Sequence, residues 1–198
     1  MKEKPVSKNI FINLEEAMIK NLREGHGIFV RPYEEEDYKL IYTLAKNNLK
    51  PFIDKHWGGW DSRIFKKEFE PHATKVIEFG SNFAGFYQAK YYEESAHIVN
   101  IHIQEMYRNM MLGSKAEFLV RTAAFHDREI DEIGLRTFKD NRALSWYKRL
   151  GYTEDKNFKI HKYVETLPNS VVLGKKLTEK NAYDLVIPIN TNDAFRIA

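Results

Sequence analysis

Apolar residues recur along this chain with two different periods, which divide it into helices and strands. Spacing of three and four residues predicts helices at 14–23, 38–49, 62–69, 116–124 and 141–150. Alternating or continuous apolar runs predict strands at 28–31, 76–79, 83–92, 97–103, 130–138 and 158–167. The order of these elements predicts an α/β (α+β) domain in which helices cover both faces of a mixed β-sheet.

Particular residues set the limits of these elements. Pro51 should bound the second helix, because the residue before a proline disfavours helical geometry. Asp61 is a suitable N-cap for the third helix. The turn Gly80-Ser81-Asn82 joins two strands into a β-hairpin, and Gly151 should end the last helix.

The strand at 97–103 carries several polar side chains. Strict alternation would place Asn100 and His102 on the same face as Ile98. The other face would then be apolar and would carry Val99, Ile101 and Ile103.

The two ends of the chain lie outside this pattern. Residues 1–27 are predicted to be an N-terminal helical extension, and residues 168–198 a C-terminal extension with strand-like segments at 170–173 and 184–189. This tail could add an edge strand, cover an apolar surface or join a second subunit. A homodimer therefore stays among the alternatives.

Composition narrows the class of protein. With 43% hydrophobic and 14% aromatic residues among 198, the chain can bury a core, which argues against a disordered or fibrous protein. Its 31 Lys and Arg and 28 Asp and Glu are dispersed, so nucleic acid is not an expected partner.

The absence of cysteine excludes disulfides and thiolate chemistry, and the seven histidines lack metal-ligand spacing. No apolar run suits a signal peptide or a membrane span, so we expect a cytoplasmic protein without metal or membrane contact.

The most informative segment is the strand at 97–103 with the loop at 107–114, which leads directly into a helix. The start of a helix presents backbone N–H groups without partners, and the helix dipole adds a preference for an anion. Phosphate is a ligand that such junctions commonly bind. The sequence therefore predicts a phosphate site around residues 108–114.

Two motifs resemble the GNAT superfamily of N-acetyltransferases. In the loop, Arg108, Met111 and Gly113 have the spacing of that family's Arg/Gln-x-x-Gly-x-Gly/Ala pattern, with Met111 in a glycine position. Further along, the segment at 141–152 is similar to the family's Asn-x-x-Ala motif followed by Tyr-x-x-x-Gly-Phe/Tyr. The resemblance covers residues 28–167, which it implies are a GNAT-like acetyltransferase domain.

The resemblance implies an acyl-CoA N-acyltransferase fold, whose mixed sheet is splayed at its centre to receive the pantetheine arm of acetyl-CoA. It also implies that backbone amides of the loop bind the pyrophosphate, while Ile103 and Asn141 contact the arm. Asn109 and Met111 stand where glycine commonly lets the backbone approach phosphates, so a reduced affinity is one expected consequence. The implied cofactor-binding residues are Ile103, Arg108, Asn109, Met110, Met111, Leu112, Gly113, Ser114 and Asn141.

Acetyl transfer to an amine needs an acceptor for the ammonium proton and a donor for the departing thiolate. The resemblance assigns Tyr147 as the general acid, and the alternative is an aromatic residue on the buried face of its helix. His97 is the candidate base, because an unperturbed imidazole has a suitable pKa. Water relayed by several polar groups is an equally good model.

The acceptor pocket is the least defined part of the site. His56, Trp57, Trp60 and Asp61 could supply aromatic walls and a carboxylate for a cationic amine, although tryptophans that anchor a loop and an aspartate that caps a helix are slightly favoured. We therefore predict an acetyl-CoA-dependent N-acyltransferase acting on a primary amine of a small molecule or peptide. The alternatives are a GNAT-fold acyl-CoA-binding or regulatory protein with little or no turnover, and an unrelated α/β binding domain.

Overall fold

The computed structural model describes residues 27–158 and 167–183. The helix predicted at 14–23, most of the strand predicted at 158–167 and the segment at 184–189 lie outside the described residues. The strands are β1 (Ile28–Pro32), β2 (Thr74–Phe79), β3 (Asn82–Tyr91), β4 (Ala96–Ile103), β5 (Glu132–Phe138), β6 (Thr153–Glu154) and β7 (Ser170–Lys176). The helices are α1 (Tyr38–His56), α2 (Ser62–Glu68), α3 (Leu112–Thr122), which a π-helix (Ala123–Asp127) extends, α4 (Ala143–Arg149) and α5 (Glu179–Tyr183).

The strands form one sheet of seven in the order β1-β2-β3-β4-β5-β7-β6. Every neighbouring pair is antiparallel except β4 and β5, which run parallel. The predicted hairpin is confirmed, because Phe79 of β2 faces Asn82 of β3 across the turn. The connection between the two parallel strands passes through α3.

Apolar side chains fill both faces of the sheet. On one face, α1 packs on β2 and β3 around Ile41, Val76 and Phe86. On the other face, α3 and α4 pack on the central strands in a larger cluster that includes Ile98 and Leu112. The prediction of a mixed sheet with helices on both faces is therefore confirmed.

The prediction that Pro51 bounds α1 is wrong, because the helix continues through this residue. Proline cannot donate to the carbonyl one turn earlier, but both positions are exposed, so water can satisfy that carbonyl. Packing holds the last turn instead. The rings of Phe52 and Trp57 lie 5.3 Å and 4.4 Å from the ring of Phe138 on β5. Contacts between distant residues thus override the local signal.

The prediction of strict alternation along β4 is also wrong, because the strand contains a β-bulge. The register of β3 and β4 shifts between Gln88 and Ala89, which leaves Val99 as an extra residue in β4. The bulge reverses the alternation of side chains. Ile98 therefore packs on the α3 side, whereas His102 faces α1 and contacts it.

The segment predicted as a C-terminal extension contains an inner strand of the sheet. β7 pairs along its whole length with β5 and, on its other side, with β6. The expectation of an edge strand at 170–173 therefore does not hold, and the sheet continues past residue 167. α5 follows β7, and its Ala182 is buried.

Candidate active site

The neighbouring strands β4 and β5 separate along their length. Residues 96–98 pair with residues 133–135, but β4 runs on to Ile103 and β5 to Phe138 without a ladder between these later residues. Backbone N–H and C=O groups along this gap are open to an extended ligand. The gap corresponds to the central splay that the resemblance implies.

Ile103 turns its backbone toward the gap. The amide of Gln104 donates to the carbonyl of Ala84 on β3 at 2.8 Å, and the direction of backbone groups alternates along a strand. The N–H and C=O of Ile103 therefore point away from β3 and toward β5. The Nε of Arg108 lies 3.4 Å from that carbonyl. The predicted contact between Ile103 and a pantetheine arm stays a prediction, but the backbone has the required direction.

The loop after β4 leads into the start of α3, where backbone N–H groups have no hydrogen-bond acceptor among the described residues. The N–H of Lys115 donates to the carbonyl of Met111 at 2.9 Å. Met111 is the N-cap and offers no side-chain hydrogen bond to the helix. Within the described part of the chain, the amides of Leu112, Gly113 and Ser114 therefore have no acceptor. Together with the helix dipole, these three N–H groups form an anion site.

The loop keeps a glycine-like backbone without glycine. Asn109 and Met111 have φ of 66° and 62°, in the left-handed region. This region costs a residue with a Cβ about 1–2 kcal/mol, and Asn tolerates it better than other residues. The conformation that glycine would provide is therefore present, and the strain is concentrated at Met111.

The remaining loop residues divide between the core and the solvent. Leu112 and Ser114 are buried, whereas Met110 is exposed. A Cβ on Gly113 would lie 3.4 Å from the ring of Trp146, so the start of α3 packs closely on α4. The two motifs that carry the resemblance, far apart in the sequence, therefore meet in the structure.

Asn141 lies just before α4 and shapes its start. Its Oδ1 accepts a hydrogen bond from the N–H of Ala143 at 2.9 Å, and its carbonyl accepts one from the N–H of Leu144 at 2.9 Å. Its Nδ2 donates no hydrogen bond to any of the described residues. This amide is therefore free to donate to a carbonyl of the arm, as the resemblance implies.

Tyr147 on α4 is buried against two aromatic neighbours, one on the same helix and one just after it. Its ring centroid lies 4.5 Å from that of Trp146 and 5.6 Å from that of Tyr152. No hydrogen bond from its hydroxyl to another described residue is recorded. Burial, together with the charge of Glu117, raises the pKa of Tyr147 well above its usual range. The phenol is therefore protonated at physiological pH, as a general acid must be, and the catalytic role stays a prediction.

His97 lies at the paired end of the gap, opposite Lys90 on β3 and Gly134 on β5. Burial, with the charges of Lys90 and Arg136, lowers the pKa of His97 to about 4. Such an imidazole is a weak acceptor for the proton of an alkylammonium group, whose pKa is about 10. The role of His97 as general base stays a prediction, and this environment does not favour it.

A chain of hydrogen bonds crosses the α1 face of β3 and β4. Arg108 Nη2 donates to Asn48 Oδ1 at 2.8 Å, and Asn48 Nδ2 lies 3.3 Å from Nδ1 of His102. The second ring nitrogen, Nε2, lies 3.2 Å from Asn100 Oδ1. Asn100 Nδ2 then donates to Gln88 Oε1 at 2.9 Å.

The donors and acceptors of this chain have a single consistent order. An amide nitrogen only donates, so Nδ1 of His102 accepts and its Nε2 carries the proton, as assigned from the network. The chain ends where Gln88 Nε2 donates to the carbonyl of Glu70 at 3.2 Å. Because both ring nitrogens of His102 are occupied, this residue is not available as a base.

Acidification is expected to weaken the fold through His102. Burial, with the charge of Arg108, lowers the pKa of His102 from 6.5 to about 4. The unfolded chain therefore binds more protons between these two values, and stability that is complete above pH 6.5 is lost as the pH falls toward 4. We expect this residue to account for a loss of about 2 kcal/mol in the free energy of unfolding between pH 7 and pH 4.5, measured by urea denaturation.

The control is an exposed histidine. His72→Gln should leave the pH dependence unchanged, whereas His102→Gln should reduce it. Equal pH dependence in the natural chain and in the His102→Gln variant would contradict the assignment of a neutral, buried imidazole.

The residues considered for the acceptor pocket make structural contacts. Asp61 accepts from the N–H of Arg63 at 2.8 Å and caps α2. Trp57 packs on Phe138 and donates through Nε1 to the carbonyl of Pro168 at 2.8 Å. These contacts agree with the favoured alternative of an anchored loop and a helix cap.

The other two candidates are also engaged. His56 Nε2 lies 2.8 Å from Asp140 Oδ2 and 2.9 Å from Asn169 Nδ2. Trp60 Nε1 donates to the hydroxyl of Tyr42 at 3.3 Å. Each of the four candidates therefore makes a structural contact, and their role in an acceptor pocket stays a prediction.

Sequence reasoning missed the residues that support the site from neighbouring elements. Asn48 on α1 accepts a hydrogen bond from Arg108, and Glu117 on α3 accepts one from Tyr152, whose ring packs on Tyr147. A signal for Glu117 existed, because it stands among buried alanines and valines on the apolar stripe of its helix. Asn48 gave no such signal, since its partners are distant in the sequence.

No helix in residues 27–158 and 167–183 is long and apolar enough to cross a membrane. The same residues contain no group of three His, Asp or Glu side chains arranged to hold a metal ion. The metal-free site and the cytoplasmic location stay predictions.

Comparison with known proteins identifies the fold. No protein-family model matches the sequence, and no curated protein matches it significantly. Ard1 from Thermoplasma volcanium aligns over 77% of this chain and 99% of its own, with 17% identity and a TM-score of 0.58. N-acetylglutamate synthase from Neisseria gonorrhoeae, complexed with coenzyme A and N-acetyl-glutamate, aligns over 78% and 36%, with 12% identity and a TM-score of 0.61. Arabidopsis thaliana Naa50, in complex with the bisubstrate analogue CoA-Ac-MVNAL, aligns over 76% and 99%, with 16% identity and a TM-score of 0.54.

At these identities, what the proteins share with this chain is the fold. The strand order, the separating parallel pair β4 and β5, and the loop that opens α3 all agree with it. This chain has the acyl-CoA N-acyltransferase fold that the resemblance of its two motifs implied.

Proposed function

We propose that this chain is an acetyl-CoA-dependent N-acetyltransferase in which a primary amine attacks the thioester directly. Three neighbouring features carry the proposal. The strands β4 and β5 leave a gap, and the amides at the start of α3 are unpaired. The buried phenol of Tyr147 lies on α4, the helix that packs against the start of α3. The solved structures of this fold that hold coenzyme A or a CoA-linked analogue support the proposal.

Each group at the site has a defined task in this proposal. The amides of residues 112–114 bind the pyrophosphate, and the backbone of Ile103 with the side chain of Asn141 orients the pantetheine arm. Acetyl-CoA supplies the acetyl group as a thioester. The amine nitrogen bonds to the carbonyl carbon, the carbon–sulfur bond breaks, and the hydroxyl of Tyr147 donates its proton to the leaving sulfur. The phenolate then regains a proton from solvent.

The amine must lose a proton before or during its attack, and water is the proposed acceptor. His97 is a weak base because its pKa is lowered to about 4. Both ring nitrogens of His102 are occupied by amides. Water relayed along the polar α1 face of β4 therefore fits the site better than either imidazole.

The proposal is tested by measuring binding and turnover on the same protein. Calorimetric titration with acetyl-CoA should give a dissociation constant between about 1 μM and 1 mM. Release of free CoA thiol should then depend on added amine, tested with amino acids, polyamines and short peptides with free N-termini. A chain that binds no acyl-CoA would contradict the proposal.

The second candidate function is an acyl-CoA-binding or regulatory protein with little or no turnover. The observation that favours it is the pair Asn109 and Met111 in place of the usual glycines, with strain at Met111. Under this alternative, acetyl-CoA binds but no amine releases thiol. The two measurements therefore separate the candidates.

A further inference from the structure

A buried ion pair lies inside the molecule between α3 and the segment that follows α4. Glu117 and Arg121 stand one turn apart on α3, and the side chain of each is 1% exposed. Arg121 Nε and Nη2 donate to the two carboxylate oxygens of Glu117 at 3.0 Å and 3.3 Å. The hydroxyl of Tyr152 donates to the same carboxylate at 3.0 Å. Three donors thus converge on one buried carboxylate.

This carboxylate connects the start of α3 to Tyr147. The ring of Tyr152 meets the ring of Tyr147 edge-on at 5.6 Å, and the N–H of Tyr152 donates to the carbonyl of Tyr147 at 3.1 Å. Arg121 Nη1 also donates to the carbonyl of Asn181 on α5. Helix α3, the segment at 147–152 and the C-terminal helix α5 are therefore joined through one group.

Stability alone is a weak reason for such a pair. Removing two charges from water has a large desolvation cost, and well-packed apolar residues of similar volume often give equal or greater stability. The neighbouring positions on this stripe of α3, Ala116 and Val120, are apolar and buried. An apolar pair at 117 and 121 would fit this stripe but would leave the buried hydroxyl of Tyr152 without its acceptor, so the charged pair is suited to fixing the position of Tyr152.

We propose that Glu117, held by Arg121 and Tyr152, is a positioning residue that fixes the phenol of Tyr147 relative to the start of α3. The inference rests on the proposed function, because it is the thioester bound at α3 that the phenol must meet. An error of about 1 Å in such a placement can reduce turnover by about 100-fold. Binding of acetyl-CoA depends on the amides at 112–114 and not on this carboxylate.

Charges around the two tyrosines agree with this role. After burial, the charge of Glu117 is the main influence that raises the pKa of Tyr147. The other charged groups near the pair are Arg121 on α3 and Lys175 on β7, whose Nζ lies 5.6 Å from the ring of Tyr152. The carboxylate therefore acts on Tyr147 through its charge as well as through the ring of Tyr152.

The test removes both charges together, so that neither is left buried alone. In the variant Glu117→Leu/Arg121→Met, we expect the protein to stay folded, with a lower melting temperature than the natural chain because the buried hydroxyl of Tyr152 loses its acceptor. The dissociation constant for acetyl-CoA should change by less than about threefold, whereas kcat should fall by about 10- to 100-fold. A variant that keeps the natural kcat would overturn the proposal.

A second variant covers the case in which the double variant does not fold. Tyr152→Phe leaves the ion pair in place and removes one hydrogen bond, and we expect kcat to fall by about three- to tenfold with unchanged acetyl-CoA binding. Val120→Ala is the matched control, because it loosens the same stripe of α3 without touching a charge. It should lower the melting temperature and leave kcat unchanged. Equal losses of kcat in Tyr152→Phe and Val120→Ala would show that only packing matters.

A readout independent of turnover separates this inference from the proposed function. The ring signals of ¹³C-labelled Tyr147, assigned with Tyr147→Phe, should shift and broaden in the double variant because the ring loses a fixed neighbour. Unchanged signals would overturn the positioning role even if no acceptor amine is found. Failure of the natural chain to release CoA thiol contradicts the proposed function instead.

Discussion

Replacing Tyr147 with phenylalanine is expected to reduce kcat for acetyl transfer by about 100- to 1,000-fold. In the proposed mechanism, the buried phenol on the helix that packs against the start of α3 donates a proton to the sulfur, and its loss leaves the sulfur to depart as a thiolate. The fold should be preserved, since no hydrogen bond from this hydroxyl is recorded within the described residues. Steady-state release of CoA thiol at saturating acetyl-CoA measures the effect, and calorimetry should give a dissociation constant within about twofold of the natural value.

Tyr91→Phe is the matched control for this prediction. Burial also raises the pKa of Tyr91, to about 12, but its ring lies on β3 beneath Arg128, away from α4. The control should keep the natural kcat. An unchanged kcat in Tyr147→Phe would contradict the general-acid role and would favour departure of the thiolate without protein assistance.

The second large effect is expected at Met111, where a carboxylate should abolish most of the affinity for acetyl-CoA. Met111→Asp places a negative charge beside the amides that would bind the pyrophosphate, and like charges a few ångströms apart repel by several kcal/mol at a partly screened site. We expect the dissociation constant to rise by about 30- to 100-fold, measured by calorimetry at low and at high salt.

Met111→Asn provides the comparison, because it has nearly the same size as aspartate and no charge. Both residues tolerate φ of 62° better than methionine, so both variants should raise the free energy of unfolding by about 1 kcal/mol. The asparagine variant should retain acetyl-CoA binding. A similar loss of affinity in both variants would point to the shape of the methionine side chain and not to charge, whereas unchanged affinity in both would place the pyrophosphate elsewhere.

The order of elements could be predicted because each depends on local chemistry. Asp61 caps α2 with its own carboxylate, and the hairpin follows from Gly80, whose φ is 59°. The loop that opens α3 could also be predicted, since its strand, turn and helix are consecutive. Tyr147 was identified from its spacing to Asn141 and Gly151.

Other features could not be predicted because they depend on contacts between distant residues. The helix passes Pro51 because aromatic rings near its end pack on Phe138, and the bulge at Val99 appears only when β3 and β4 are aligned. The position of β7 inside the sheet follows from pairing with β5 and β6, which its short apolar run does not specify.

The same limit applies to the candidate site. Strict alternation predicts that His102 shares a face of β4 with Ile98, whereas in the structure His102 contacts Asn48, which lies 54 residues earlier in the sequence. Glu117 stands on the apolar stripe of its helix, but that position alone does not predict its contact with Tyr152, which lies 35 residues later in the sequence. The sequence predicts the loop and Tyr147 as candidates, but it does not predict the residues that hold them, because those contacts join distant elements.

The single order of donors and acceptors from Arg108 to Glu70 has a consequence for divergence among related chains. Each amide in the series is oriented by its neighbour, so an exchange at one position leaves a donor facing a donor or an acceptor facing an acceptor. We therefore expect substitutions at Asn48, His102 and Asn100 to occur together in related chains. Homologues that have lost one of the three are expected to have replaced the others with apolar residues.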